Sequence, residues 1–125
     1  MLGSSGQAPT ITKLLDPASA ANTAAATSAW TAIGNAEGDV EFIVQTGAVT
    51  GSITWTIEHA SDSGGTGGAA ITPNEGAFAA GAANQVQKRT VRAVATAGYV
   101  RVVGTIVTGP SLVSASMQRH PKYAT

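Results

Sequence analysis

Two stretches carry the two-residue period of a strand, and this period restricts the chain to β structure more than any other feature. Residues 53–59 put Ile53, Trp55, Ile57 and His59 on one face and Thr54, Thr56 and Glu58 on the other, because successive side chains of an extended chain point to opposite faces. Residues 99–107 separate Val100, Val102, Gly104 and Ile106 from Tyr99, Arg101, Val103, Thr105 and Val107. The first of those sets is the core candidate. Val40, Phe42 and Val44 alternate with Glu41, Ile43 and Gln45, and Val113, Ala115 and Met117 alternate with Leu112, Ser114, Ser116 and Gln118.

Between these strands lie turn signals, and they set the count. Residues 10–15 form a first strand, expected at a sheet edge and expected to stop at Asp16-Pro17, since proline cannot donate to a ladder. Residues 18–32 are alanine-rich but offer no larger apolar residue before Trp30. We therefore expect an extended or loosely looped arm there, a helix being the alternative, with residues 29–33 as a short strand that puts Trp30 in the core. Residues 35–38 are a turn. The strands at 39–46 and 53–59 are expected to pair like a hairpin across residues 47–51. Residues 60–69, with four glycines, form either a mobile tip or several positive-φ positions. Residues 70–72 make a brief strand, and Phe78 anchors the small-residue link that follows. Residues 86–95 carry Lys88, Arg89 and Arg92 over both faces, which suits an edge strand. Seven or eight short strands with no crossover helix define an all-β, two-sheet antiparallel sandwich, jelly-roll-like or immunoglobulin-like in topology, with an extended N-terminal arm. The expected organisation is an arm at 1–9, the sandwich at 10–118 and a basic tail at 119–125.

Charge narrows the functions available. A chain of 125 residues with formal net charge zero and 11 % charged residues has a surface poorly protected against association, so a place within an assembly is expected. The charges are segregated: residues 1–87 hold all seven acids and only Lys13 among the bases, while residues 88–125 hold six bases and no acid. They are expected to pair between neighbouring strands or across subunit contacts. Net neutrality and two tyrosines argue against nucleic-acid binding. With no cysteine, disulfides and thiolate metal sites are excluded, and the absence of a long apolar run gives no expectation of a membrane partner. His59 is expected as a rim histidine bonded near a loop. A nucleophile at Ser61 or Ser63 beside His59 and Asp62 lacks the supporting motif, and Glu41, Glu58 and Glu75 read as separate carboxylates, of which Glu41 and Glu58 lie outward toward solvent. No enzyme chemistry and no cofactor are expected.

The strand Val40-x-Phe42-x-Val44, the segment Ile53-Thr54-Trp55-Thr56-Ile57-Glu58-His59-Ala60-Ser61-Asp62 and the strand Tyr99-Val100-Arg101-Val102-Val103 together resemble the small β-sandwich capsid decoration, or cement, proteins of tailed bacteriophages. The resemblance spans roughly residues 39–118. It implies a homotrimer on the outer capsid surface of the virion, made in the host cytoplasm, whose partner is the major capsid protein. Leu2, Ile11, Leu15, Arg89, Arg92, Tyr99, Arg101, Arg119 and Tyr123 are the candidate interface residues. The alternative is a head-fibre, tail or carbohydrate-binding module using the loop tip at residues 62–68, which for a sugar would need Trp30 or Trp55 facing outward.

Overall fold

The computed structural model describes residues 9–121. Eight strands build two four-stranded sheets: β1 (Thr10–Ala20), β2 (Thr31–Ala32), β3 (Ala36–Val49), β4 (Ser52–Ala60), β5 (Ala69–Ile71), β6 (Gln85–Arg92), β7 (Tyr99–Val107) and β8 (Ser111–Pro121). The first sheet has the order β1-β8-β3-β6 and the second β2-β7-β4-β5. All pairings are antiparallel. The pairs β1·β8, β2·β7, β3·β6 and β4·β5 nest inside one another, so the chain is one long hairpin rolled into two sheets. This is a jelly roll, the first of the two expected topologies.

Alternation places the core where it was expected. Val40, Phe42 and Val44 of β3, Ile53, Trp55 and Ile57 of β4, Val100 and Val102 of β7, and Val113, Ala115 and Met117 of β8 are buried between the sheets. Gly104 belongs to the same layer because a Cβ there would lie 2.9 Å from Ile53 and 3.0 Å from Trp55. The closeness of β7 to the facing side chains is what the glycine permits.

Four expectations are corrected. First, β1 does not stop at Asp16-Pro17. It continues to Ala20, with register shifts between Lys13 and Leu15 and between Leu15 and Ala18, and a bulge is where a strand tolerates proline. Second, β3 and β4 are not a hairpin but lie in different sheets; the corner at residues 50–51 carries the chain across. Third, the alanine-rich segment contains a 3₁₀ turn, Thr23–Ala26, capped by Asn22, whose side-chain oxygen accepts the Ala25 N–H at 3.2 Å. Ala26 is fully buried. Fourth, Trp30 is outside the core. Ile33 is the residue buried there, while Trp30 is half-buried on the outer side of the second sheet.

Candidate interaction surface

The second sheet spends its charges on its own loops. Glu58 and Arg101 face each other in register, and the Nε and Nη2 of Arg101 both donate to Oε1 of Glu58, at 2.8 and 2.7 Å. The same guanidinium lies 4.3 Å from the Trp30 ring centroid, a cation–π contact. Trp30 in turn packs against the glycine-rich loop, since a Cβ on Gly65 would lie 2.6 Å from its Nε1 and one on Gly68 3.3 Å from its ring. The loop is internally bonded. Asp62 Oδ1 accepts the amides of Gly64 (2.9 Å) and Thr66 (3.2 Å), and Ser61 Oγ donates to the Thr66 carbonyl. Gly65 and Gly67 adopt positive φ, the second of the two behaviours expected for this stretch. His59 is the rim histidine expected, its Nδ1 accepting the Ala97 N–H at 3.0 Å.

The first sheet treats its two edges differently. Along β6, the segment at residues 73–83 covers the edge: Thr90 donates through its amide (2.8 Å) and hydroxyl (2.6 Å) to Glu75. Along β1 no strand lies on the outer side among the described residues. Ile11 stands on it 69 % exposed. Beside β1, the outer face of the sheet carries a shallow groove lined by Leu15, Pro17, Ile43, Gln45, Leu112 and Ser114. It consists of two adjoining hollows of about 370 and 180 Å³.

The expected interface residues divide accordingly. Ile11 and Leu15 lie on the open edge and groove. Arg92 is exposed at the end of β6, opposite Asp39 in register, and Tyr99 is half-buried at the start of β7. Arg89, Arg101 and Arg119 are engaged within the chain: Arg89 reaches the carbonyls of Lys88 and Ala77, and Arg119 donates to the Ile33 carbonyl at 2.9 Å. Leu2 and Tyr123 lie outside the described residues. Glu58–Arg101 and Glu41–Lys88, the latter at 3.5 Å, join the acidic first part of the chain to its basic second part between neighbouring strands. Residues missed by the sequence pattern are Gln87 and Glu75, which fasten the β6 cover. A polar residue at the inward register of β6 was the available signal for Gln87.

Two carboxylates are held below their ordinary pKa. Asp62 is stabilised as the anion chiefly by the Thr66 hydroxyl, then by the amides of Thr66, Gly64 and Gly65. Glu75 is stabilised by the Thr90 hydroxyl and amide, with a further contribution from Arg89. A depressed folded-state pKa means that this stabilisation is present above the ordinary carboxylate range and is lost as pH falls through and below it. The amide resonances of Gly64, Thr66 and Thr90 are therefore expected to titrate at lower pH than a free carboxylate side chain would. Inflections at ordinary carboxylate values would contradict the assigned hydrogen bonds.

Comparison of the chain with protein-family models, curated proteins and solved structures finds no match.

Proposed function

We propose that this chain is a structural jelly-roll module of a tailed-bacteriophage virion, binding the outer surface of the capsid and bridging neighbouring major capsid subunits. The observation that carries the reading is the unequal treatment of the first sheet: β6 is covered, whereas among the described residues β1 is left open beside an exposed Ile11 and an apolar groove. An open strand offers main-chain hydrogen bonds to an extended segment of a partner, and the adjoining groove offers side-chain specificity. Jelly rolls recur in viral capsid domains, although a fold alone does not fix a function; the edge and the sequence resemblance are what support the reading. A protein that binds the assembled lattice and not free subunits stabilises the lattice by mass action. The rigid sandwich supplies the body of such a clamp.

The reading includes self-association as a trimer. Light scattering across a concentration series is expected to give the mass of three chains, persisting on dilution. A monomer at every concentration would remove the trimer from the proposal.

A second reading is favoured by one observation, the outward position of Trp30. A module that binds sugars through the loop at residues 62–68 would use that indole. Its ring, however, is engaged by Arg101 and lies against Gly65 and Gly68. Quenching of tryptophan fluorescence by soluble oligosaccharides would support this reading over the first.

A further inference from the structure

We propose that residues 73–83 are a built-in edge guard, which prevents a second copy of this chain from adding its open β1 to β6. Thr90 directs both its N–H and its carbonyl away from β3. The carbonyl accepts the Asn74 N–H at 2.8 Å, and the N–H donates to Glu75 at 2.8 Å. Backbone groups of a strand alternate in direction, so Val86 and Lys88 present theirs to the same side. The Lys88 carbonyl is taken by the Arg89 guanidinium, at 2.8 Å, which also reaches Ala77. Gln87, 8 % exposed, acts as a side-chain peptide unit: Oε1 accepts the Ala79 N–H and Nε2 donates to the Ala79 carbonyl, both at 2.9 Å. Farther along, the Ala82 N–H donates to Gln85 Oε1 at 2.8 Å and the Ala82 carbonyl accepts the Thr46 hydroxyl.

All but one of these contacts use a side chain, and the difference matters. A fifth strand paired by regular backbone bonds would satisfy β6 and present a new edge of its own. A segment held mainly by side chains covers β6 and takes both outward backbone groups of Thr90 without creating another ladder, which is how an edge is blunted. Phe78 pins the middle of the segment, 6 % exposed in the core and 5.4 Å from the Arg89 guanidinium. Gly81 pins its far end, donating to the Ile53 carbonyl at 2.7 Å.

The occupant excluded is a second copy, because β1 and β6 are the opposite edges of one sheet. If both were open, β1 of one molecule would pair with β6 of the next. Such a heterologous contact need not close and can propagate into a continuous sheet. Pairing of β6 with another β6 is disfavoured by Lys88, Arg89 and Arg92, which would be brought together. Guarding one edge denies β1, which is open among the described residues, a complement on its own kind. The inference does not depend on what β1 binds.

The test is a Glu75→Ala/Gln87→Leu variant, examined by amide hydrogen exchange and by light scattering against the parent. The Thr90 amide, which donates to Glu75, is expected to exchange about tenfold faster, and the mass to grow with concentration beyond that of the parent. Adding Ile11→Lys to the variant is expected to abolish the growth. Unchanged exchange at Thr90, faster exchange without added mass, or growth that survives Ile11→Lys would each overturn the proposal. Should the double variant lose its β-sheet circular dichroism, Glu75→Ala alone, at an exposed position, is read by the same criteria.

Discussion

Phe42→Ala is expected to lower the stability of the fold by about 3–5 kcal/mol, the usual cost of removing a buried phenylalanine ring from a packed core. Phe42 has no exposed surface and sits on β3, which has β8 on one side and β6 on the other. Its register partners are Met117 and Arg89, so the cavity would open at the centre of the first sheet. A domain of this size has roughly 5–15 kcal/mol in total, so the variant should lose about a fifth or more of its stability. Urea denaturation checks this through a lowered midpoint at unchanged m-value. Val86→Ala, on a side chain 61 % exposed, serves as the control and is expected to stay within about 0.5 kcal/mol of the parent. Equal effects at the two positions would contradict the assigned core.

Gly51→Ala is expected to be nearly as damaging, although it adds only a methyl group. Gly51 turns the chain from β3 into β4 with φ of +76°, a conformation in which a Cβ is strained. The added carbon would also run into the Val107 carbonyl oxygen and lie 2.6 Å from that of Thr108. These are backbone atoms of the β7–β8 connection, which is tied to the same corner by the Thr50 N–H donating to the Pro110 carbonyl at 3.2 Å. Neither crossover can shift without moving the other. Strain and overpacking at roughly 1–3 kcal/mol each place the loss at about 2–6 kcal/mol, measurable by the same denaturation. Gly38→Ala is the informative comparison: its φ is +73° but nothing lies within 4 Å of the added carbon, so only the conformational part of the cost should appear.

The strands were legible wherever one face meets the core and the other meets water. Val40-Phe42-Val44, Ile53-Trp55-Ile57 and Val113-Ala115-Met117 each announce their inward face by a period of two, because burial on one side is what writes that period. Alternation is silent about which sheet a strand joins. β3 and β4 therefore read as a hairpin until the corner at Gly51 is seen to carry the chain between sheets. Asp16-Pro17 read as a stop because a bulge, which accommodates proline within an edge strand, leaves no periodic mark. Trp30 misled through its size: a large aromatic side chain suits a core, but the buried position there goes to Ile33 and the indole covers a loop of glycines.

The candidate surface was less legible because its polar partners are remote in sequence. Arg101 is 43 positions from Glu58, and Arg119 is 86 from Ile33. A run of cations without nearby acids looks available until the rolled hairpin brings the partners together. Ile11 and Leu15 belong to the open edge and its groove, whereas the cover over β6 depends on Gln87 and Glu75, neither of which forms a recognisable motif.

The most direct test of the proposed capsid role is co-sedimentation of the full chain with expanded, decoration-free shells of a tailed bacteriophage, the source that the proposal requires, with unassembled capsid subunits as the control. Binding to the shell but not to the subunits is predicted, reduced about tenfold or more by Ile11→Lys, as for loss of an interface anchor. The thermal midpoint of that variant should match the parent, since Ile11 is exposed. Failure of the parent chain to pellet with the shell, or pelleting unaffected by Ile11→Lys, would contradict the assignment of the β1 edge as the docking surface.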